Sequence, residues 1–182
     1  MTTLPEIVNW LEGDDSLHLG RLLILLDAFA GRSGGHAVEA LTKLAKLDFL
    51  LRYPAYLERA LVERGVPGTG TDVQDFERNS IEARMVRYRY GPWDHRYRRF
   101  LNVLVGKGLV VVQDGRPILI HLTGKGREAA VRLAEGSEYA AMRHRATLLK
   151  RHFDLQATTL MDFVYRTFPE VASLRVGETI SS

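Results

Sequence analysis

Five consecutive apolar residues, Leu22 to Leu26, lie inside the segment Leu17 to Ala30 and constrain the fold more than any other stretch of this 182-residue chain. A helix built from them is apolar around most of its circumference, so it has to be covered on more than one side. The segment is too short to span a bilayer and is interrupted by His18, Arg21 and Asp27. Either the helix is central to its domain or a partner covers it.

Helical patterning continues beyond it. Gly31 to Gly35 ends the first helix, and Val38, Leu41, Leu44, Ala45, Leu47 and Leu51 form an apolar stripe that predicts a second helix from about Ala37 to Tyr53. Pro54 marks a boundary, and Ala55 to Arg64 reads as a third helix. Gly65, Pro67, Gly68, Thr69 and Gly70 then make the richest turn-forming stretch in the chain, the expected flexible connection.

From Arg84 the pattern alternates, with Val86, Tyr88 and Tyr90 on one side and Arg87 and Arg89 on the other, as in a short strand. Asp94 is placed to cap a helix from about His95 to Gly106, with Tyr97, Phe100, Leu101 and Leu104 facing a core. His95, Arg99 and Asn102 face away. Leu109 to Gln113 and Pro117 to Leu122 flank Asp114-Gly115, a dipeptide suited to the tight turn of a β-hairpin. Thr123 can cap a helix over Gly124 to Ala134, and two more helices are predicted over Glu138 to Phe153 and Gln156 to Phe168.

Strand, helix, hairpin and helix in that order describe a winged-helix module. The expected fold is therefore mainly α: a helical region over residues 1–66, a polar connection over 67–80, a winged-helix module with a small hairpin wing over 81–136, and a helical region over 137–182, together forming one unit. Such modules place one helix in the major groove of DNA or serve as protein-docking platforms, and fold alone does not choose.

Charge bears on that choice. The net charge is only +3, far below that of a chain that coats DNA indiscriminately. The surplus is nevertheless local: Arg84, Arg87, Arg89, Arg96, Arg98, Arg99 and Lys107 face a single acid, Asp94, between residues 84 and 107. The candidate residues for binding nucleic acid or a partner are Arg87, Arg89, His95, Arg96, Arg98, Arg99, Asn102, Lys107 and Arg116. Arginine serves protein interfaces as readily as phosphates, so both readings stand. A second basic cluster, Arg143, His144, Arg145, Lys150, Arg151 and His152, reads as a solvated helix face.

Catalytic signatures are sparse. The chain has no cysteine, which excludes disulfides, Cys-ligated metals and thiol nucleophiles. Gly31-Arg32-Ser33-Gly34-Gly35 matches G-x-S-x-G, but a nucleophile elbow needs a strand before the serine and a helix after it, whereas an apolar helix precedes this one. Gly106-Lys107-Gly108 and Gly124-Lys125-Gly126 do not complete a phosphate loop, and the six histidines lack metal-ligand spacing. Asp14-Asp15 reads as a helix cap rather than a catalytic pair. A non-enzymatic protein without cofactor or metal is the expectation. Met1 to Asn9 lacks the cationic start and apolar run of an export signal, so a cytoplasmic location is expected.

The runs Lys46 to Pro54 (KLDFLLRYP) and Tyr90 to Val110 (YGPWDHRYRRFLNVLVGKGLV), with Phe168-Pro169, Gly177 and Ile180, resemble the middle component of bacterial ABC three-component systems. This is the accessory subunit found beside an SMC-like ATPase and an effector in Lamassu-type antiphage defence. The likeness extends from about Leu19 to Ile180. It implies a non-catalytic winged-helix accessory subunit that docks on the ATPase and on an effector such as a nuclease, with double-stranded DNA as a further contact and no membrane partner. A free-standing winged-helix transcriptional regulator is the alternative, and a hydrolase using Ser33 is a third.

Overall fold

The computed structural model describes residues 15–67, 70, 71, 73, 85, 86, 96–173, 179 and 180. In chain order the elements are α1 (Asp15–Ala30), β1 (Val38–Glu39), α2 (Leu41–Arg52), α3 (Pro54–Glu63), β2 (Met85–Val86), α4 (Tyr97–Gly106), β3 (Val110–Gln113), β4 (Leu119–Leu122), α5 (Gly124–Ala134), α6 (Ser137–Phe153), α7 (Ala157–Thr167), α8 (Pro169–Ser173) and β5 (Thr179–Ile180). The protein is mainly helical, with a small antiparallel sheet.

Helix α1 is the central element. Leu22 to Leu26 are each at most 4% exposed, and α2, α4, α5, α6, β1 and β4 of the same chain pack around the helix. Each such side chain contributes roughly 1.5–3 kcal/mol by leaving water. The five apolar residues are thus consumed by the core and offer no surface to a partner. Gly20 permits the close approach of α6, because a Cβ there would lie 2.8 Å from the Tyr139 hydroxyl.

The sheet has the order β1-β4-β3. Strands β3 and β4 form the expected hairpin, with Val110 opposite Leu122 and Val112 opposite Ile120. Val110 and Ile120 are buried beneath it. The third strand corrects the sequence reading: Val38 and Glu39, placed at the start of a helix, pair with Ile120 and Leu119 instead. Helix α2 begins only at Leu41, because Ala40 adopts a positive φ of 61° that interrupts the helical path, while its N–H donates to the Ile118 carbonyl at 2.9 Å. A second correction concerns Met85–Val86. This strand falls where alternation predicted one, but it pairs with Thr179–Ile180, outside the hairpin sheet.

The cap at α5 follows expectation. The Thr123 hydroxyl accepts from the Gly126 N–H at 3.0 Å and donates to the Gly108 carbonyl at 2.8 Å, joining the base of the hairpin to the helix start. Gly126 is required there, since a Cβ would meet the Leu109 carbonyl at 2.0 Å. Helices α6 and α7 lie within a residue or so of their predicted ends, and α8 adds a turn that begins at Pro169. Phe49, Tyr53, Tyr56 and Phe168 form one aromatic cluster between α2, α3 and the end of α7, with the Arg59 guanidinium over Tyr56 and Phe168. Buried Lys46 lies over the Tyr165 ring, and burial pushes its pKa down to about 8.

Candidate nucleic-acid interface

Helix α4 is built from two chemically distinct faces. Tyr97, Phe100, Leu101 and Leu104 turn inward and are 1–6% exposed, as their helical spacing predicts. Arg98, Arg99, Asn102, Val105 and Gly106 turn outward, followed by exposed Lys107.

The inward face is fixed by a buried polar cluster drawn from three helices. Arg21 of α1 makes a two-pronged ion pair with Asp48 of α2, Nε to Oδ1 at 2.6 Å and Nη2 to Oδ2 at 3.0 Å. The Tyr97 hydroxyl of α4 donates to the same carboxylate. Arg21 Nη2 also reaches His18 Nδ1 at 2.8 Å, and the His18 ring stacks on Phe100 with centroids 5.3 Å apart.

The protonation states of this cluster agree with one another. Guanidinium can only donate, so His18 Nδ1 must accept and the imidazole is neutral. Burial, then Arg21, pushes the His18 pKa down to about 4. Burial alone would push the Asp48 carboxyl up. The Arg21 ion pair, the hydrogen bonds from Arg21 and Tyr97, and the charge of Arg52 overcome it and hold the group below the ordinary carboxylate value. Burial, then the Asp48 charge, raises Tyr97 well above its usual value, so its hydroxyl keeps the proton it donates. The start of α4 is thereby clamped to α1 and α2 by a charge-assisted network.

On the outward face, Arg98, Asn102, Lys107 and Arg116 are exposed, and their side chains engage no polar partner among the described residues. Arg98 and Asn102 share the helix face, Lys107 follows its end, and Arg116 stands apart in the hairpin connection. Arg99 is engaged: its Nη2 lies 2.7 Å from both carboxylate oxygens of Asp15, the first residue of α1. Arg96 is half-buried, with its guanidinium 5.8 Å from the Phe100 ring centre. Arg87, Arg89, His95 and the predicted cap Asp94 lie outside the described residues. Exposed Lys125, considered in the sequence only as part of an incomplete phosphate loop, has an ammonium that donates to the Lys107 carbonyl at 3.0 Å and adds a cation beside the end of α4. Sequence reasoning also read Asp15 as a cap without seeing its pairing with Arg99.

The second basic cluster is not a uniformly solvated face. Arg145 is only 3% exposed and its Nε donates to the Thr71 carbonyl at 2.8 Å, while His144 Nε2 lies 2.6 Å from the Gly70 carbonyl. Lys150 pairs with Asp154, which also takes Lys43 at 2.9 Å. Burial would raise the Asp154 carboxyl, but the hydrogen bonds and charges of Lys150 and Lys43 hold it below its ordinary value.

Ser33 is exposed in a turn after α1 and before β1, the reverse of the strand–turn–helix order of a nucleophile elbow. Gly31, at φ 72°, ends α1 in the left-handed conformation usual for a helix terminus. Among the described residues no group of three His, Cys, Asp or Glu is arranged to hold a metal ion, and no helix is long and apolar enough to cross a membrane. Comparison of the chain with protein-family models, curated proteins and solved structures returns no match.

Proposed function

We propose that this chain is a non-catalytic winged-helix accessory subunit of an SMC-like ATPase antiphage defence complex, and that the outward face of α4 contacts duplex DNA. The order α1, β1, α2, α4, β3, β4, with α3 intervening and a β1-β4-β3 sheet, supports the winged-helix reading. In that reading α4 is the helix presented to the major groove and residues 114–118 form the wing.

The observation that carries the DNA reading is the outward face of α4. It holds Arg98 and Asn102, which have no polar partner among the described residues, next to Lys107, on a helix whose other face is locked by the Arg21–Asp48–Tyr97 cluster. Cations fixed on a rigid element and left unneutralised suit phosphates, because binding then requires little reorganisation. The accessory role rests on the resemblance of the Lys46–Pro54 and Tyr90–Val110 runs, and the docking surface for the ATPase and effector has to lie elsewhere than on α1.

Co-expression with an SMC-like ATPase and an effector encoded beside it, followed by pull-down, tests the assembly. A stable complex is expected, and failure to copurify contradicts the accessory role. A homodimer that binds paired half-sites without such partners would favour the transcriptional regulator instead.

A further inference from the structure

We infer that Asn102 and Val105 form a base-reading pair on α4 that selects an A·T base pair in the major groove, flanked by Arg98 on the phosphates. The inference rests on the DNA-contacting reading of α4 and adds a sequence preference to it.

The outward face is mixed rather than purely basic. Arg98, Asn102 and Val105 follow one another at i, i+4 and i+7, along a single stripe. Asn102 is exposed and Val105 is 41% exposed. Neither can neutralise a phosphate. Both are poor helix formers at solvent-facing positions, where packing does not dictate the residue and Lys, Arg, Glu or Ala would serve the helix better. Their chemistry matches a base pair: a carboxamide presents one acceptor and two donors, and pairs with adenine N6 and N7, whereas a small apolar side chain fits the thymine methyl group.

The spacing agrees. At about 1.5 Å per residue Val105 follows Asn102 by roughly 4.5 Å along the helix axis, less than one turn, so the two side chains stand side by side and can address the two bases of one pair. Arg98 precedes Asn102 by one turn and sets a cation at one end of the stripe, where a phosphate strand borders the groove, while Lys107, two residues past Val105, projects roughly 200° around the helix from it.

The test is selection of binding sites from a randomised duplex library, with wild type and Asn102→Ala, followed by titration of selected and A·T-to-G·C-substituted duplexes. Wild type is expected to favour A·T at one position by about 5- to 150-fold. Asn102→Ala loses that preference while affinity falls with salt at the wild-type slope, and Asn102→Asp shifts the preference toward cytosine, whose amino group a carboxylate accepts. Far-ultraviolet circular dichroism of each variant checks the fold. Wild-type binding with no preference, or an unchanged preference in Asn102→Ala, overturns the inference and leaves the DNA reading intact. Absence of duplex binding by wild type at low salt overturns both.

Discussion

Helices α4 and α6 each carry a cluster of cations in the sequence, and the fold spends them differently. On α6, Arg145 and His144 are turned to the Thr71 and Gly70 carbonyls and Lys150 to Asp154, leaving exposed Arg143 and Arg151 about 12 Å apart along the helix. On α4, Arg98 and Asn102 stand one turn apart with no polar partner among the described residues, and Lys107 follows at the helix end. The acceptors that the fold brings within reach decide whether a cation is structural or available, and local charge density does not. Arg21, buried in the most apolar helix of the chain, is the extreme structural case.

Substitutions can break this contrast or sharpen it. The largest effect is expected from Asp48→Ala, which strands Arg21 without its carboxylate in the core. Urea unfolding should show a loss of about 3–5 kcal/mol, and an unchanged midpoint would mean that the cluster does not clamp α4. The same cluster sets an acid limit. Because the native His18 pKa is about 4, against 6.5 for the free side chain, the unfolded chain takes up a proton that the folded one refuses between those values. The stability this supplies is complete above about pH 6.5 and is lost as the pH falls toward 4. His18→Asn, compared with wild type across that window, should show a flatter profile.

Arg145→Ala ranks next. It removes the donor to the Thr71 carbonyl and should cost about 1–3 kcal/mol in the same assay, with duplex affinity unmoved. A fall in DNA binding at constant stability would reassign Arg145 to the interface. The smallest effect belongs to Asp15→Asn, which releases Arg99. An exposed pair of this kind contributes about 0.2–1 kcal/mol, so stability should hardly change. Duplex affinity should rise a few-fold, as anisotropy would detect, because a carboxylate no longer competes with phosphate for the guanidinium.

Much of the fold is legible in the sequence where the signal is local. The apolar stripes give α2 and α4, the β-rich runs around Asp114-Gly115 give the hairpin, though its strands are joined by the five residues 114–118 rather than by a tight two-residue turn, and Thr123 gives the start of α5. Strand β1 was not legible. Two residues carry no periodicity, and Val38 fits a helical stripe as well as a strand whose partner, Ile120, lies 82 positions away. The outward residues of α4 could be read from helical spacing, which places Asn102 opposite Phe100 and Arg99 beside it on the solvent side. The residues that hold the helix in place could not. His18, Arg21 and Asp48 look like interruptions of apolar runs, and only the meeting of α1, α2 and α4 turns them into a network. A charged residue within an otherwise apolar helix was the available signal, since such a charge needs a partner once buried.

The contrast between the two helices is tested most directly by the salt dependence of duplex binding, measured from about 50 to 200 mM salt, for wild type, Arg98→Glu/Lys107→Glu and Arg143→Glu/Arg151→Glu. Wild type should bind with an affinity that falls steeply with salt, and the α4 variant should bind weakly with a slope reduced by about two units, one for each phosphate contact removed. The α6 variant should keep the wild-type slope. Equal losses in the two variants, or no duplex binding by wild type at the lowest salt, would contradict the assignment of the α4 face to DNA.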